Sequence, residues 1–329
     1  MSMLISLLLS FLIVGCGGDS TSTLQTNPTL TPTLYLSQTS GAFEGGIDER
    51  IAEDISLAQE SIQLAMYDFT NEKLLDALIQ AHQRGVNVRV VTDDSTIESD
   101  CYQSLIAEGV AVVDDQNTQS LMHNKFLLID NHILWMGSTN FTYYAFYRNN
   151  EDALRWESSA LTLAYGEVFE KLFTHQPTPT HTTLSNLSVY FSPNQESSQA
   201  IIDAIESATK RIHFMLYTFT DSRIAQALIQ AHQRGVEVLG IFDESQNSYQ
   251  TYSQYTPLLE AGLSVKLDGN PYKLHHKVMI IDDNLTIIGS YNFTRTAQES
   301  NAENLLFVEE ASLRENLESA FESSFLEAK

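Results

Sequence analysis

The sequence predicts an α/β protein of two tandem lobes, each a central β-sheet flanked by helices, related by a pseudo-twofold axis with one site between them. The first observation is a duplication. Residues 62–95 (IQLAMYDFTNEKLLDALIQAHQRGVNVRVVTDDS) return as residues 212–245 (IHFMLYTFTDSRIAQALIQAHQRGVEVLGIFDES), with ALIQAHQRGV unchanged. A second block from Leu121 (LMHNKFLLIDNHILWMGSTNFT) returns from Lys273 (KLHHKVMIIDDNLTIIGSYNFT). Two long copies make paired lobes, whereas a solenoid needs more and shorter units. The second observation is that β-branched and aromatic runs alternate with amphipathic segments inside each copy, as helices packed on a sheet require. A hydrophobic content of 43% over 329 residues supplies the core and excludes a chain disordered throughout.

The elements follow in order. Residues 3–15 (MLISLLLSFLIVG) are apolar, shorter than the roughly 20 residues a spanning helix needs, and suit the core of a signal peptide over 1–15. The run Ile13-Val14-Gly15-Cys16 resembles the lipobox of bacterial lipoproteins, which implies cleavage before Cys16, a diacylglycerol on its thiol and a chain anchored in the cell envelope. An ordinary signal peptide with secretion is the alternative, and the absence of Lys or Arg before the apolar run departs from the lipoprotein pattern. Residues 16–40, rich in Ser, Thr, Gly and Pro, read as a flexible tether. Lobe 1 spans 41–174, a linker 175–185 and lobe 2 186–329. Cys101 is the only other cysteine and reads as an unpaired thiol.

Within lobe 1, residues 62–69 form a strand. Residues 71–84 form a helix, with Leu74, Leu75, Leu78 and Ile79 at helical spacing and Gly85 as its stop. Strands follow at 86–92 and 110–113 around a helix at 99–108. Two apolar runs, 126–129 and 133–136, join through the turn Asp130-Asn131-His132, and a helix over 160–173 closes the lobe.

The chemistry-bearing residues sit in the second repeated block. His123-x-Lys125, Asp130, Gly137-Ser138 and Asn140 recur with identical spacing as His275-x-Lys277, Asp282, Gly289-Ser290 and Asn292. Residues i and i+2 of a strand share a face. Two facing lobes thus gather two imidazoles and two ammonium groups around one point, a setting for a phosphate diester.

This pattern, HxK(x)4D(x)6GSxN present twice, resembles the phospholipase D superfamily, and the resemblance covers both lobes, making them phospholipase D-like. It extends to a downstream glutamate, matched by Glu151 and Glu303. The resemblance implies a metal-independent phosphodiesterase without cofactor. One histidine forms a covalent phosphohistidine while the other protonates the leaving alcohol and then activates water; the family's common order makes His123 the nucleophile and His275 the acid. Glu151 and Glu303 would orient the imidazoles. Lys125, Lys277, Ser138, Asn140, Ser290 and Asn292 would hold the non-bridging oxygens, and Asp130 and Asp282 would be mainly structural. Both motifs lie in one chain, so a monomer suffices.

The aromatics Phe141, Tyr143, Tyr144, Phe146 and Tyr147 after the first motif, and Tyr249, Tyr252, Tyr255 and Tyr272 before the second, read as packing in preference to substrate contacts. His132, His213 and His276 read as core or surface residues, His82 and His232 as helix-end residues.

Charge narrows the substrate. The 42 acidic residues against 18 basic give a net charge of −24, which repels long polyanions. Segments 116–150 and 270–301 together hold a net +1, so the acidity belongs to the rest of the chain. A phospholipid at a membrane surface, hydrolysed to phosphatidic acid, is favoured over DNA or RNA cleavage by an endonuclease of the same superfamily. A catalytically silent binding module is disfavoured because both motifs are complete.

Overall fold

The computed structural model describes residues 31–39, 45–178, 180–185, 187–247 and 252–329. The expected signal peptide, Cys16 and Tyr249 lie outside them. Lobe 1 runs β1 (Thr33–Leu36), α1 (Ile47–Leu57), β2 (Ser61–Met66), α2 (Glu72–Gln83), β3 (Asn87–Thr92), α3 (Asp100–Ala107), β4 (Ala111–Asp114), β5 (Lys125–Ile129), β6 (Ile133–Gly137), α4 (Tyr143–Tyr147), β7 (Asp152–Glu157) and α5 (Ser159–Phe173). Lobe 2 runs β8 (His181–Leu184), β9 (Leu187–Ser192), α6 (Glu196–Ser207), β10 (Arg211–Leu216), α7 (Ser222–Gln233), β11 (Glu237–Phe242), α8 (Glu244–Asn247), α9 (Tyr255–Glu260), β12 (Ser264–Leu267), β13 (Lys277–Ile281), β14 (Leu285–Gly289), α10 (Arg295–Glu299), β15 (Glu303–Val308) and α11 (Ala311–Glu327).

The first sheet is ordered β1-β7-β6-β5-β2-β3-β4 and the second β12-β11-β10-β13-β14-β15-β9-β8. Apart from β8 and the short α8 they are the same sheet built twice. In each, two parallel pairings along the βαβ units (β2 with β3, β3 with β4) meet an antiparallel meander that starts at the motif strand.

Local chemistry explains the elements. Asn71 caps α2 by accepting a hydrogen bond from Leu74 N at 2.9 Å, and Asp221 caps α7 in the same way through Arg223 N. Both helices end at a glycine with φ of 93°, Gly85 and Gly235, a conformation that side chains resist. Along β2, Ile62, Leu64 and Met66 face a core shared with α1, α2 and α3, while Ala65 faces the opposite way. Lobe 2 repeats this outer core with α6, α7 and α9.

The third core lies between the lobes. Phe126, Leu128, Leu134, Leu154 and Trp156 of the first sheet and Val278, Ile280, Ile288, Leu306 and Val308 of the second form one cluster with α5 and α11. The two copies therefore share a buried apolar layer, which fixes their mutual position.

Two expectations are corrected. The stretch 16–40 is not tether to its end, because Thr33–Leu36 forms an edge strand antiparallel to β7. The linker 175–185 likewise contributes β8, paired with β9. Ser/Thr-rich composition marks weak burial, and edge strands are only half buried, so composition alone did not separate them from linkers. No helix among the described residues is long and apolar enough to cross a membrane.

The motif glycines let adjacent strands close. A Cβ on Gly289 would stand 2.3 Å from Asn304 O, and one on Gly137 2.4 Å from Asp152 O. We expect Gly289→Ala to cost about 1–3 kcal/mol, read as a lower urea midpoint at unchanged m-value.

Candidate active site

Lys125 and Lys277 open β5 and β13 in the centre of their sheets, opposite Met66 and Leu216. Both side chains are buried, at 2% and 1% exposure. Each curls back to donate to the carbonyl of its own motif histidine, Lys125 Nζ to His123 O at 2.7 Å and Lys277 Nζ to His275 O at 2.6 Å. Each ammonium also lies over a tyrosine ring, Tyr67 at 5.3 Å and Tyr217 at 5.0 Å, and the same rings stand 5.2 and 4.5 Å from His123 and His275. These tyrosines, at equivalent positions in MYDFT and LYTFT, were not singled out from sequence, although the duplication marks them.

Each histidine is oriented by the glutamate of the other lobe. His123 Nδ1 lies 2.9 Å from both carboxylate oxygens of Glu303, and His275 Nδ1 lies 2.8 Å from Glu151 Oε2. With Nδ1 turned to a carboxylate, Nε2 is the ring nitrogen that the glutamate leaves unengaged. Main-chain bonds between lobes make the exchange possible. His123 N donates to Ala302 O at 2.9 Å and Ala302 N to Leu121 O at 2.8 Å; His275 N donates to Asn150 O at 2.9 Å and Asn150 N to Lys273 O at 2.8 Å. Asp93 and Asp243 secure the far side by accepting from Met122 N and Leu274 N.

The expected role of the serines is corrected. Ser138 Oγ donates to Glu151 Oε2 and Ser290 Oγ to Glu303 Oε2, both at 2.7 Å, while each accepts a backbone N–H at 3.0 Å. Both serines are fully buried, and their single proton is spent on the glutamate. They position the carboxylates. Asn149 and Asn301 donate to the other carboxylate oxygen, an N-x-E spacing legible in both copies. Asn140 and Asn292 differ from the serines: each has a buried Oδ1 acceptor without a partner, and neither is bonded to a motif glutamate.

Asp130 and Asp282 lie away from this cluster, in the β5–β6 and β13–β14 turns. Asp130 accepts the backbone N–H groups of Gln59, Glu60 and Ser61, and Asp282 those of Thr209, Lys210 and Arg211. Burial raises both carboxyls, but these bonds outweigh it and hold them below the usual value. They tie the hairpin to the start of the neighbouring strand.

Burial governs protonation at the centre. It lowers Lys125 to about 7 against the pull of Glu303, and Lys277 to about 8 against that of Glu151. His123 is lowered by burial, with Glu303 opposing. His275 is lowered further, by burial and then by Lys277, Lys125 and His123, with Lys273 adding to them. Burial also raises Glu151.

The two halves are not identical. His276 Nδ1 meets Asp152 Oδ2 across the lobes at 2.6 Å, where the other half has Asn304 donating to Asn124 at 3.0 Å. His276, expected as a satisfied core residue or plainly exposed, is buried and its partner comes from the other lobe. His213 is buried against Glu318 and Phe321, and His132 is exposed. Cys101 is a buried free thiol. Asp93, Asp94 and Asp115 form an acidic trio close enough to share a cation, but Asp93 already holds Met122 and Ser95, and nothing else there points to a ligand.

A family profile described as cardiolipin synthase, PLD-like domain, matches residues 51–173 and again 201–325, one copy per lobe. The chain belongs to the phospholipase D superfamily. A phospholipase D of Rickettsia prowazekii is 39% identical over 132 residues, 40% of this chain and 64% of that protein. A mitochondrial cardiolipin hydrolase of Xenopus laevis is 34% identical over 140 residues, 42% and 64% of the two chains. The match thus spans under two thirds of these relatives' own length. The crystal structure of a phosphatidylserine synthase from Haemophilus influenzae shares the fold, with a TM-score of 0.65 at 15% identity over 92% of this chain and 88% of that one. The α/β architecture of two phospholipase D-like lobes is that of the superfamily.

The crosswise pairing is testable without turnover. In 15N-histidine NMR, Glu303→Gln is expected to shift the His123 ring signals and leave those of His275 in place. Movement of His275 alone would contradict the exchange.

Proposed function

We propose that the protein is a phosphodiesterase that hydrolyses a phospholipid head-group diester to phosphatidic acid through a covalent phosphohistidine. The observation that carries this reading is the pair of inter-lobe His–Glu contacts around two buried lysines, which supplies two imidazoles with free Nε2 atoms and two cations for one phosphate. An anionic diester entering the cleft restores charge to the ammonium groups, and Asn140 and Asn292 add amide donors to its non-bridging oxygens. No step of this sequence calls for a metal.

In the first step one Nε2 forms a bond to phosphorus as the bond to the head-group oxygen breaks, and the other imidazolium gives that oxygen its proton. In the second step the now neutral imidazole takes a proton from water, the oxygen attacks phosphorus, the P–N bond breaks and phosphatidic acid leaves. The two histidines need opposite protonation states, so the halves must differ. Lys273, whose counterpart is Leu121, places a third cation on the His275 side. Glu303, bidentate on His123, favours the proton there. These features support His275 as nucleophile and His123 as acid, the reverse of the family's common order. An anchor at Cys16 would hold the site at the envelope membrane beside its substrate and raise its effective concentration.

Turnover of phosphatidylcholine, cardiolipin and single-stranded DNA, measured side by side with chelator present, tests the reading. Head-group release is the expected result, and cleavage of DNA alone would overturn the lipid assignment. Either His123→Ala or His275→Ala is expected to lower kcat/KM by about 10³-fold or more. Acid-free quenching and peptide mapping should find the phosphoryl group on His275; finding it on His123 restores the family order.

The lysines set the alkaline limb. Protonated ammonium is the phosphate-binding form, and in the empty site it is lost as pH rises through about 7 for Lys125 and about 8 for Lys277. We therefore expect kcat/KM for an anionic diester to fall across that window, first in proportion to proton concentration and then more steeply. A profile flat to pH 9 would contradict it.

A further inference from the structure

One flank beside the two motifs carries chemistry that the catalytic reading uses only through Lys273. The aromatics around the motifs divide sharply on burial. Phe141, Phe146 and Tyr147 are packed inside, as expected, but Tyr144 is 58% exposed, Tyr272 44% and Tyr143 36%. The Tyr144 and Tyr272 rings, one from each lobe, stand 6.0 Å apart. Arg148 lies between Tyr143 and Tyr272, its guanidinium carbon 5.5 and 5.6 Å from the two ring centres, and Asn270 holds the Arg148 carbonyl at 2.9 Å. The main-chain bond from Asn150 to Lys273 passes beside this cluster, and the next residues are Glu151 and, two further along from Lys273, His275. The patch is thus tied through the main chain to the segments that carry Glu151 and His275.

Its cations are exceptional in this chain. Among the described residues, every Lys and Arg outside the motif pair, except two, holds a carboxylate, a backbone carbonyl or an amide oxygen. The exceptions are Arg148, between the Tyr143 and Tyr272 rings, and Lys273, which lies over the Tyr217 ring and bonds that tyrosine's side chain. A guanidinium stacked on a ring keeps its in-plane N–H donors free for a phosphate. In a protein of net charge −24, with 42 carboxylates competing for 18 cations, two cations on one flank without a carboxylate partner are a selective arrangement.

The opposite flank lacks it. By the duplication, Tyr143, Tyr144 and Arg148 correspond to Arg295, Thr296 and Ser300, and Tyr272 and Lys273 to Ser120 and Leu121. Arg295 there is engaged by Glu299 at 2.8 Å.

We propose that the flank of Tyr143, Tyr144, Arg148, Tyr272 and Lys273 is the surface by which the protein seats on a phospholipid bilayer; this rests on the lipid reading of the cleft and adds its orientation on the membrane. Tyrosines with an apolar ring and a polar tip belong at the head-group level, and adjacent cations meet lipid phosphates there. The molecule's overall charge opposes approach to an anionic membrane, but that field is screened beyond roughly 8–10 Å. Docking therefore works by contact between rings, cations and head groups, not by long-range steering. A nucleic-acid strand fits less well, since tracking successive phosphates calls for a run of cations and the flank offers two.

Hydrogen exchange read by mass spectrometry on the full-length protein tests this, with vesicles of phosphatidylcholine and phosphatidylglycerol, with single-stranded DNA, and with neither. Vesicles are expected to slow exchange at 143–148 and 270–273 and to leave 295–300 and 118–121 unchanged. Equal slowing on both flanks, no slowing at all, or slowing by DNA and not by vesicles would overturn the proposal. The variant Tyr144→Ser, Tyr272→Ser should melt as wild type and lose the vesicle-induced slowing; slowing that persists in it counts against the rings. No arm requires turnover. Protection in a protein inactive on lipids defeats only the catalytic reading, and lipid turnover without flank-specific protection defeats only the docking surface.

Discussion

Two ammonium groups buried at the centre of a protein are the constraint around which this structure is arranged. Water would stabilise Lys125 and Lys277 far better than the interior does, and burial accordingly draws both toward neutrality. What keeps them serviceable is a ring of compensating groups: Glu151 and Glu303, two tyrosine faces, and the carbonyls of the motif histidines. The glutamates are themselves buried, and each needs Ser, Asn and His donors to be tolerable there. Removing any one member leaves an uncompensated charge or polar group, the costly condition in a low-dielectric interior.

The arrangement also explains why the lobes share a core. A hydrogen bond from the imidazole of one copy to the carboxylate of the other demands sub-ångström reproducibility between two separately folded sheets. The apolar layer of α5, α11 and the facing sheets supplies the rigidity, and the main-chain bonds at His123–Ala302 and Asn150–Lys273 set the register. Around that fixed frame the copies have diverged at positions that do not bear on the exchange: Lys273 against Leu121, Asp68 against Thr218, and the His276–Asp152 pair against two asparagines. The symmetry is strict where geometry demands it and relaxed where chemistry benefits from a difference.

Much of this was legible in the residues. The repeated decapeptide and motif spacing predicted the lobes, the strand–helix order and the residues at the centre, because periodicity and turn chemistry are local properties. What escaped was non-local. Nothing in the spacing of His123 and Glu151 shows that they serve different partners, since that depends on how two lobes face each other. Ser138 and Ser290 were placed on phosphate because a hydroxyl's partner is invisible until the neighbouring strand is known. β1 was missed inside a Ser/Thr-rich stretch, although Tyr35-Leu36-Ser37 echoes Tyr190-Phe191-Ser192 at its counterpart β9, and Ser37 and Ser192 both donate into the loops that precede the glutamates.

The crosswise exchange has a bearing on how the protein comes into being. His123 and its carboxylate are separated by 180 residues, and His275 and its carboxylate by 124. Contacts of such long sequence separation form late in folding, after the local units have closed. A nascent chain that has completed lobe 1 already displays a full motif, yet its histidine lacks the carboxylate that aims it. The two crosswise contacts therefore exist only once both lobes are made and packed against each other.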